Sequence, residues 1–330
     1  MADLRLTMGC WDYDRTRAVM DGSIKPDGIN LTCLNLPVEE TFFRMLRYRE
    51  FDVAEMSLSS YVVSLFKPER AFVAIPFFPS RYFRHSSIYV NADAGINEPK
   101  DLVGKRIGCP EYQMTAPVWI RGILSDEYNV PVDSVTYCTG GEESPNRSEK
   151  LKLQLPDNIR LEPIGSDKTL AAMLRDGEID ALYTARKPST FNCRSGKVRR
   201  LFPDYVGIER DYFSRTAIFP IMHTVVIRRE VYENNRWVAQ SIFKALNQSQ
   251  RKTYQDLRET AALKTMLPWA MAHFEEAEDE MGDDFWPNGF EKNRKVLNTF
   301  LRYSYEQGLS GRLLDAEEIF APETLDAFVI

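Results

Sequence analysis

The sequence predicts a two-lobed α/β fold, and three observations carry that reading. Short apolar runs alternate with helical patterns along the chain, the order that builds parallel strands covered by helices. Gly9-Cys10-Trp11-Asp12-Tyr13 reappears as Gly108-Cys109-Pro110-Glu111-Tyr112, each where a strand ends and a helix is about to begin. Met45-Leu46-Arg47-Tyr48-Arg49-Glu50-Phe51-Asp52 reappears as Met173-Leu174-Arg175-Asp176-Gly177-Glu178-Ile179-Asp180, each a helix end turning into a strand. Echoes in the same order and context predict two similar lobes, the first opening near residue 4 and the second near residue 105. The length of 330 residues, about twice that of a typical single domain, agrees.

In chain order, the short apolar runs place strands at 4–9, 52–56, 72–75, 87–91, 106–109, 134–138, 160–164, 179–184 and 224–228. The last of these lies within a longer apolar stretch, 219–229. Helical spacing places helices at 38–48, 116–128, 168–175, 236–258 and 290–306. The final helix carries Phe290, Arg294, Leu297, Leu301 and Ser304 along one line and stops at Gly308. The simplest topology makes residues 1–91 and 217–330 the first lobe and residues 92–216 the second. Two crossings then form a hinge, and the carboxyl ends of both sets of strands face one ligand cleft, where open α/β sheets bind. The long C-terminal helices fit either a homo-oligomer interface or packing on the first lobe.

Composition bounds the function. Hydrophobic residues at 44% and charged residues at 27% are enough for a real core. A net charge of −6 removes the overall basic field that nucleic-acid binding needs. Cys10, Cys33, Cys109, Cys138 and Cys193 are scattered and never spaced C-x-x-C, which excludes a disulfide framework or zinc knuckle and suits a reducing compartment. The start of the chain shows neither a basic leader nor a long apolar segment, and no run approaches ~18 apolar residues. The expectation is a cytoplasmic protein with no membrane span.

Several residues would face the cleft. Arg15 and Arg17 follow the first strand, and Gln113, Met114 and Thr115 follow its counterpart in the second lobe. Thr115 reads as an N-cap, with Pro117 in the first helical turn, and helix N-termini favour anions. Ser57 and Ser59 form a third polar strand end, which plain helix capping explains equally well. The densest cluster is Phe77-Phe78-Pro79-Ser80-Arg81-Tyr82-Phe83-Arg84-His85-Ser86. Arg81 and Arg84 offer planar forks for carboxylates, and Phe83 with its neighbours suits a flat ring. Arg186 follows another strand of the second lobe. His85 and His223 each sit beside a hinge crossing, where a histidine can trade protons near neutral pH; His273, in an acidic helical stretch, reads as structural or solvated.

Other patterns are weaker. The acidic stretch 275–280 has no regular ligand loop and reads as a solvated face rather than a metal site. The stretch 140–158 reads as a long polar loop suited to a flap over the cleft. Neither G-x-G-x-x-G nor G-x-S-x-G occurs.

Together these residues resemble the 4,5-dihydroxyphthalate decarboxylase family. The matching runs are Asp12-Tyr13-Asp14-Arg15-Thr16-Arg17, Leu36-Pro37-Val38-Glu39-Glu40-Thr41-Phe42-Phe43-Arg44-Met45 and Phe51-Asp52-Val53-Ala54-Glu55-Met56-Ser57. They continue in Phe78-Pro79-Ser80-Arg81, Phe83-Arg84-His85-Ser86, Pro110-Glu111-Tyr112-Gln113-Met114-Thr115-Ala116 and Gly177-Glu178-Ile179-Asp180-Ala181-Leu182-Tyr183-Thr184. The resemblance spans nearly the whole chain. It implies a type II periplasmic-binding-protein-like fold with mixed sheets, and conversion of 4,5-dihydroxyphthalate to protocatechuate and CO2 in phthalate degradation, with no organic cofactor and no metal site assigned.

That chemistry needs an arginine clamp for the carboxylate that stays, a proton donor at the ring carbon and a base near the hydroxyl. Arg81 and Arg84, helped by Arg15 or Arg17, are the expected clamp. His85 is the candidate acid and His223 the candidate base, with the roles open to exchange. The alternatives are a non-catalytic solute-binding protein for an aromatic acid, and a decarboxylase of a related hydroxylated aromatic acid.

Overall fold

The computed structural model describes residues 3–192 and 196–326; Cys193 lies outside them. Its strands are β1 (Leu4–Cys10), β2 (Ile29–Asn35), β3 (Val53–Ser57), β4 (Phe72–Arg81), β5 (Ile88–Asn91), β6 (Arg106–Cys109), β7 (Thr136–Thr139), β8 (Arg160–Pro163), β9 (Ala181–Tyr183), β10 (Val198–Arg200) and β11 (Ile221–Arg228). The helices are α1 (Asp14–Met20), α2 (Val38–Tyr48), α3 (Leu58–Ser64), α4 (Thr115–Tyr128), α5 (Leu170–Asp176), α6 (Tyr205–Thr216), α7 (Arg229–Asn234), α8 (Trp237–Leu257), α9 (Ala270–Met281) and α10 (Arg294–Glu306). Among the described residues no helix is long and apolar enough to cross a membrane.

By contact the chain divides into two units. Unit 1 comprises 1–81, 221–297 and 315–330, and unit 2 comprises 82–220 and 298–314. The expected boundaries therefore shift, and the chain crosses four times rather than twice. Residues 88–91 join unit 2 because β5 pairs with β9 and β10. Residues 298–314 join it because Tyr303 packs edge-on against Trp119 and Gln307 bonds Arg121 and the carbonyl of Val118.

The sheet of unit 1 has the order β2-β1-β3-β11-β4, and that of unit 2 β10-β5-β9-β6-β7-β8. The alternating pattern by itself predicts parallel pairing and the resemblance mixed sheets; the sheets are mixed, each with one antiparallel strand, β11 in one and β5 in the other. Each is the first strand laid down as the chain arrives in that unit from the other. In unit 1, Met8, Val53, Ile75 and Val225 from the sheet are sealed by Val238, Ala239, Ile242 and Leu246 of α8, spaced three and four apart so that one helical face meets the sheet. In unit 2, Leu170, Met173 and Leu174 of α5 pack with Ile179 and Leu182.

The two sequence echoes are a structural repeat. In unit 1 Met8 and Gly9 pair with Val53 and Ala54, and in unit 2 Ile107 and Gly108 pair with Ala181 and Leu182, the same register. A Cβ on Gly9 would come within 2.9 Å of the Phe51 ring, and one on Gly108 within 2.6 Å of Ile179. Each glycine thus admits the apolar residue supplied by the second echo. Asp52 accepts the backbone N–H of Thr7 at 2.8 Å, and Asp180 that of Arg106 at 2.8 Å. The preceding helices both end in a left-handed residue, Arg49 at φ 52° and Gly177 at φ 76°.

The glycine in the middle of α4 has its own reason. A Cβ on Gly122 would collide with the ring of Tyr303, which is held by its hydroxyl donating to Asp126 at 2.7 Å. Gly122→Ala is therefore expected to cost about 1–3 kcal/mol, read as a lower midpoint in urea unfolding followed by circular dichroism. An unchanged midpoint would show that Tyr303 yields.

Candidate active site

The site that the structure assembles lies in unit 1, at the carboxyl edge of its parallel strands. Its centre is Glu55, an acidic residue in the otherwise apolar run Val53-Ala54-Glu55-Met56 and fully buried. Burial of a carboxylate is tolerated where donors replace water, and Glu55 has several. Oε1 accepts from the Tyr13 hydroxyl at 2.6 Å and lies 2.6 Å from His223 Nδ1. Oε2 accepts the backbone N–H of Trp11 at 3.2 Å, with the Cys10 thiol at 3.8 Å. Burial alone pushes its pKa up, but the bonds from His223, Tyr13 and Trp11 and the pairing with His223 leave it below the usual carboxylate range.

An ionised carboxylate only accepts, so the proton on His223 sits on Nδ1 and Nε2 is left for chemistry. Burial, then the Glu55 charge, raises the pKa of the Tyr13 hydroxyl and of the Cys10 thiol, so both stay protonated donors. The His223 side chain is 16% exposed, against complete burial for its partner, and Phe42 packs edge-on with ring centroids 4.8 Å apart. In the sheet His223 stands opposite Ser57 on one side and Ser80 on the other.

Arg15 completes this edge. Its guanidinium lies 4.1 Å from the Tyr13 ring centroid and 4.4 Å from that of Trp286. Nε donates to the carbonyl of Pro79 and Nη1 to Asp14 at 3.0 Å. Trp286 is itself anchored by its indole N–H donating to the carbonyl of Phe78 at 2.9 Å. Two aromatic faces and a backbone carbonyl thus fix the fork before any ligand arrives.

The other expected residues fall elsewhere. Arg17 is exposed and paired with Asp12 through two bonds of 3.1 Å. Ser57 caps α3 by accepting the backbone N–H of Ser60 at 3.4 Å, and Ser59 is buried within that helix. Arg81 does not form the expected clamp: it is 3% exposed and donates to the carbonyl of Pro287 at 2.6 Å and to Asn293, tying residues 287–293 to β4. Burial pushes its pKa down to about 9.

In unit 2, Arg84 is buried over the Tyr82 ring and reaches Ser87 and the carbonyl of Ala185, with its pKa pushed by burial to about 10. Phe83 stacks on Phe219 at 4.6 Å rather than standing open for a ligand. Gln113 is fully buried. Met114, not Thr115, is the N-cap of α4, and Thr115 is its first residue. Arg186 is exposed, its backbone N–H donating to Thr184.

His85 is caged by Tyr128, Phe202 and Tyr212 at 6.2, 5.5 and 5.3 Å between ring centroids. Neither ring nitrogen has a hydrogen-bond partner among the described residues. Burial, then the charge of Arg215, pushes its pKa down to about 4. A ring in that state is held neutral near pH 7, which disfavours the acid role expected of it but not the exchanged role of base.

Residues 140–158, expected as a flap, are fastened within unit 2. Arg147 and Lys150 both hold the buried carboxylate of Glu111, and Glu142 accepts from Thr184 Oγ1 at 2.5 Å. His273 is exposed beside Glu276. Among the described residues no group of three or more His, Cys, Asp or Glu is placed to hold a metal ion. Sequence reasoning missed Glu55, Tyr13 and Trp11 as site residues, although a lone acid in an apolar strand marks a buried carboxylate in need of partners.

Two α/β units, each built on a mixed open sheet, define a protein of the periplasmic-binding fold. The periplasmic aliphatic sulphonate binding protein of Escherichia coli aligns with a TM-score of 0.54 and 12% identity over 98% of this chain and 99% of that one. The alkanesulfonate-binding protein of Xanthomonas axonopodis pv. citri, solved with MOPS, aligns with a TM-score of 0.53 over 97% and 99% at 12% identity. At that identity the likeness is one of fold.

Sequence similarity is more particular. A 4,5-dihydroxyphthalate decarboxylase of Comamonas testosteroni is 40% identical over 330 residues, all of both chains. One of Pseudomonas putida is 40% identical over 213 residues, covering 64% of this chain and 83% of that one. The chain belongs to the 4,5-dihydroxyphthalate decarboxylase family. No family model matches it.

The cage around His85 has a measurable consequence. An unfolded histidine binds its proton near pH 6.5 and the caged one only near pH 4, so between those values the unfolded chain holds the extra proton. Stability is then fully present above about pH 6.5 and falls on acidification toward pH 4, by about 2–3 kcal/mol from this residue. Urea unfolding at several pH values should show that loss, and His85→Phe should flatten it. An equal slope in the variant would mean that His85 is not the group titrating.

Proposed function

We propose that the protein is a carboxy-lyase converting 4,5-dihydroxyphthalate to protocatechuate and CO2, with His223 supplying the proton that the reaction consumes. The observation that carries the assignment of residues is the 2.6 Å pairing of His223 Nδ1 with the buried Glu55; the family supports the substrate. In the substrate each carboxylate lies para to a hydroxyl. Direct loss of CO2 would leave an aryl carbanion, which is far too unstable to form. Protonation of the ring carbon that bears the carboxylate avoids it.

Nε2 of the imidazolium gives its proton to that carbon, and a lone pair of the para hydroxyl, which keeps its own proton, moves into the ring to form a cationic, protonated-dienone intermediate. The carbon–carboxylate bond then breaks, its electron pair restores the aromatic ring, and CO2 departs. His223 regains a proton from solvent. Throughout, Glu55 keeps Nδ1 protonated and faces the positive charge of the imidazolium, the part that a buried carboxylate plays beside a catalytic histidine. Arg15, fixed between Tyr13 and Trp286, takes the carboxylate that stays.

The same reading places the enzyme in the cytoplasm. The support is the state of its thiols: Cys10, Cys109 and Cys138 are free and buried and Cys33 is free, as in a reducing compartment.

His223→Asn should lower kcat by about 10²–10⁴-fold while circular dichroism shows the fold retained, and Glu55→Gln should move kcat in the same direction. Arg15→Lys should act mainly on KM, raising it about tenfold or more, because a point charge replaces a fork. The assay follows the ultraviolet spectrum of 4,5-dihydroxyphthalate together with released CO2. Normal turnover by His223→Asn would remove that residue from the mechanism. Saturable binding by the wild-type protein without CO2 would make it a solute-binding protein instead.

A further inference from the structure

Trp11 is a large aromatic residue that the fold leaves uncovered. It is 42% exposed, and among the described residues no aromatic ring or cation stacks on its indole. Its backbone is anything but loose. The N–H donates to Glu55 Oε2 at 3.2 Å, and the carbonyl accepts the Tyr13 N–H at 3.0 Å and the Thr16 hydroxyl at 3.4 Å. One carboxylate therefore holds the His223 ring at one oxygen and the Trp11 backbone at the other.

The internal repeat separates scaffold from function at this position. Cys10 and Tyr13 have the counterparts Cys109 and Tyr112 in unit 2, both buried as parts of the framework. Trp11 has the counterpart Pro110, which is small and buried. The framework thus does not require an indole there. The exposed Trp237 has a structural task that Trp11 lacks, since it lies against Gly28, 3.3 Å from where a Cβ would stand.

We infer that Trp11 is the platform on which the substrate's ring stacks, selecting flat aromatic diacids and setting the ring carbon against His223. The inference rests on the reading of this edge as the substrate site. Offset stacking of one aromatic ring on another is geometrically specific, and the bond from its N–H to Glu55 ties the backbone that carries the indole to the carboxylate that holds His223.

The test measures binding apart from turnover. Calorimetric titration of 4,5-dihydroxyphthalate into His223→Asn gives a reference Kd. Adding Trp11→Ala or Trp11→Leu to that background should weaken binding about two- to tenfold, and adding Trp11→Phe should restore most of it. With His223 intact, Trp11→Ala should raise KM by a similar factor and also lower kcat, because the ring carbon is no longer set against His223. Equal Kd values for the reference, the Ala and the Leu variants would overturn the platform. If the wild-type protein releases no CO2 while the Kd differences persist, the platform stands and the decarboxylase reading falls. If CO2 is released and the Kd values do not differ, only the platform falls.

Discussion

A carboxylate with no exposure to water sits in the middle of an apolar strand, and much of unit 1 is arranged around keeping it charged. Glu55 draws donors from two distant stretches of chain: Cys10, Trp11 and Tyr13 at and just after the end of β1, and His223 on β11. Removing water from a carboxylate costs several kcal/mol, and a set of donors is what offsets it. The cost explains the order of the sheet. His223 reaches Glu55 because β11, the antiparallel strand, is inserted directly beside β3. A strand bonded elsewhere would leave the acid without its closest partner. The carboxylate in turn orients the imidazole and locks the turn that carries Trp11, so one buried charge organises both the proposed acid and the proposed platform.

The internal repeat shows how such a site arises on an ordinary scaffold. The two units share a glycine that accepts an apolar side chain, an aspartate that bonds the first strand, a left-handed helix end and an identical strand register. These are requirements of packing strand, helix and strand together. At the position of Glu55 unit 2 carries Tyr183, fully buried among apolar neighbours, and at the position of Trp11 it carries Pro110. The tyrosine that donates to Glu55 in unit 1 has a counterpart, Tyr112, whose hydroxyl donates to the carbonyl of Gln307. The proposed chemistry thus sits where the copies part.

How much of this was legible in the sequence depended on the range of the interaction. Helix 38–48 and strand 106–109 were read with their observed bounds, and the two echoes located corresponding features of both units. Periodicity and local punctuation are short-range signals, and they sufficed there. Short elements such as α3 and the three-residue β10 leave little periodicity to read, and β2, whose Asn30, Thr32 and Asn35 interrupt its apolar run, was passed over because it is not an apolar stretch. The clamp was misplaced because Arg81 is satisfied by Pro287 and Asn293, more than 200 positions away. An arginine beside aromatics looks the same in sequence whether its partners are a ligand or a distant carbonyl.

The two histidines make the same point about function. His85 and His223 were indistinguishable as letters, each beside an expected crossing. Their surroundings separate them by what each ring meets. Rings of Tyr128, Phe202 and Tyr212 give His85 no acceptor for a proton, and the nearby charge of Arg215 opposes one further. His223 instead meets an ionised carboxylate at 2.6 Å, and its side chain is partly exposed. A proton donor must be able to hold the proton before giving it, and must be reachable when it does. Of the two, only the histidine on β11 meets a carboxylate and stands partly open, so the proposed assignment rests on what each ring touches rather than on its place in the chain.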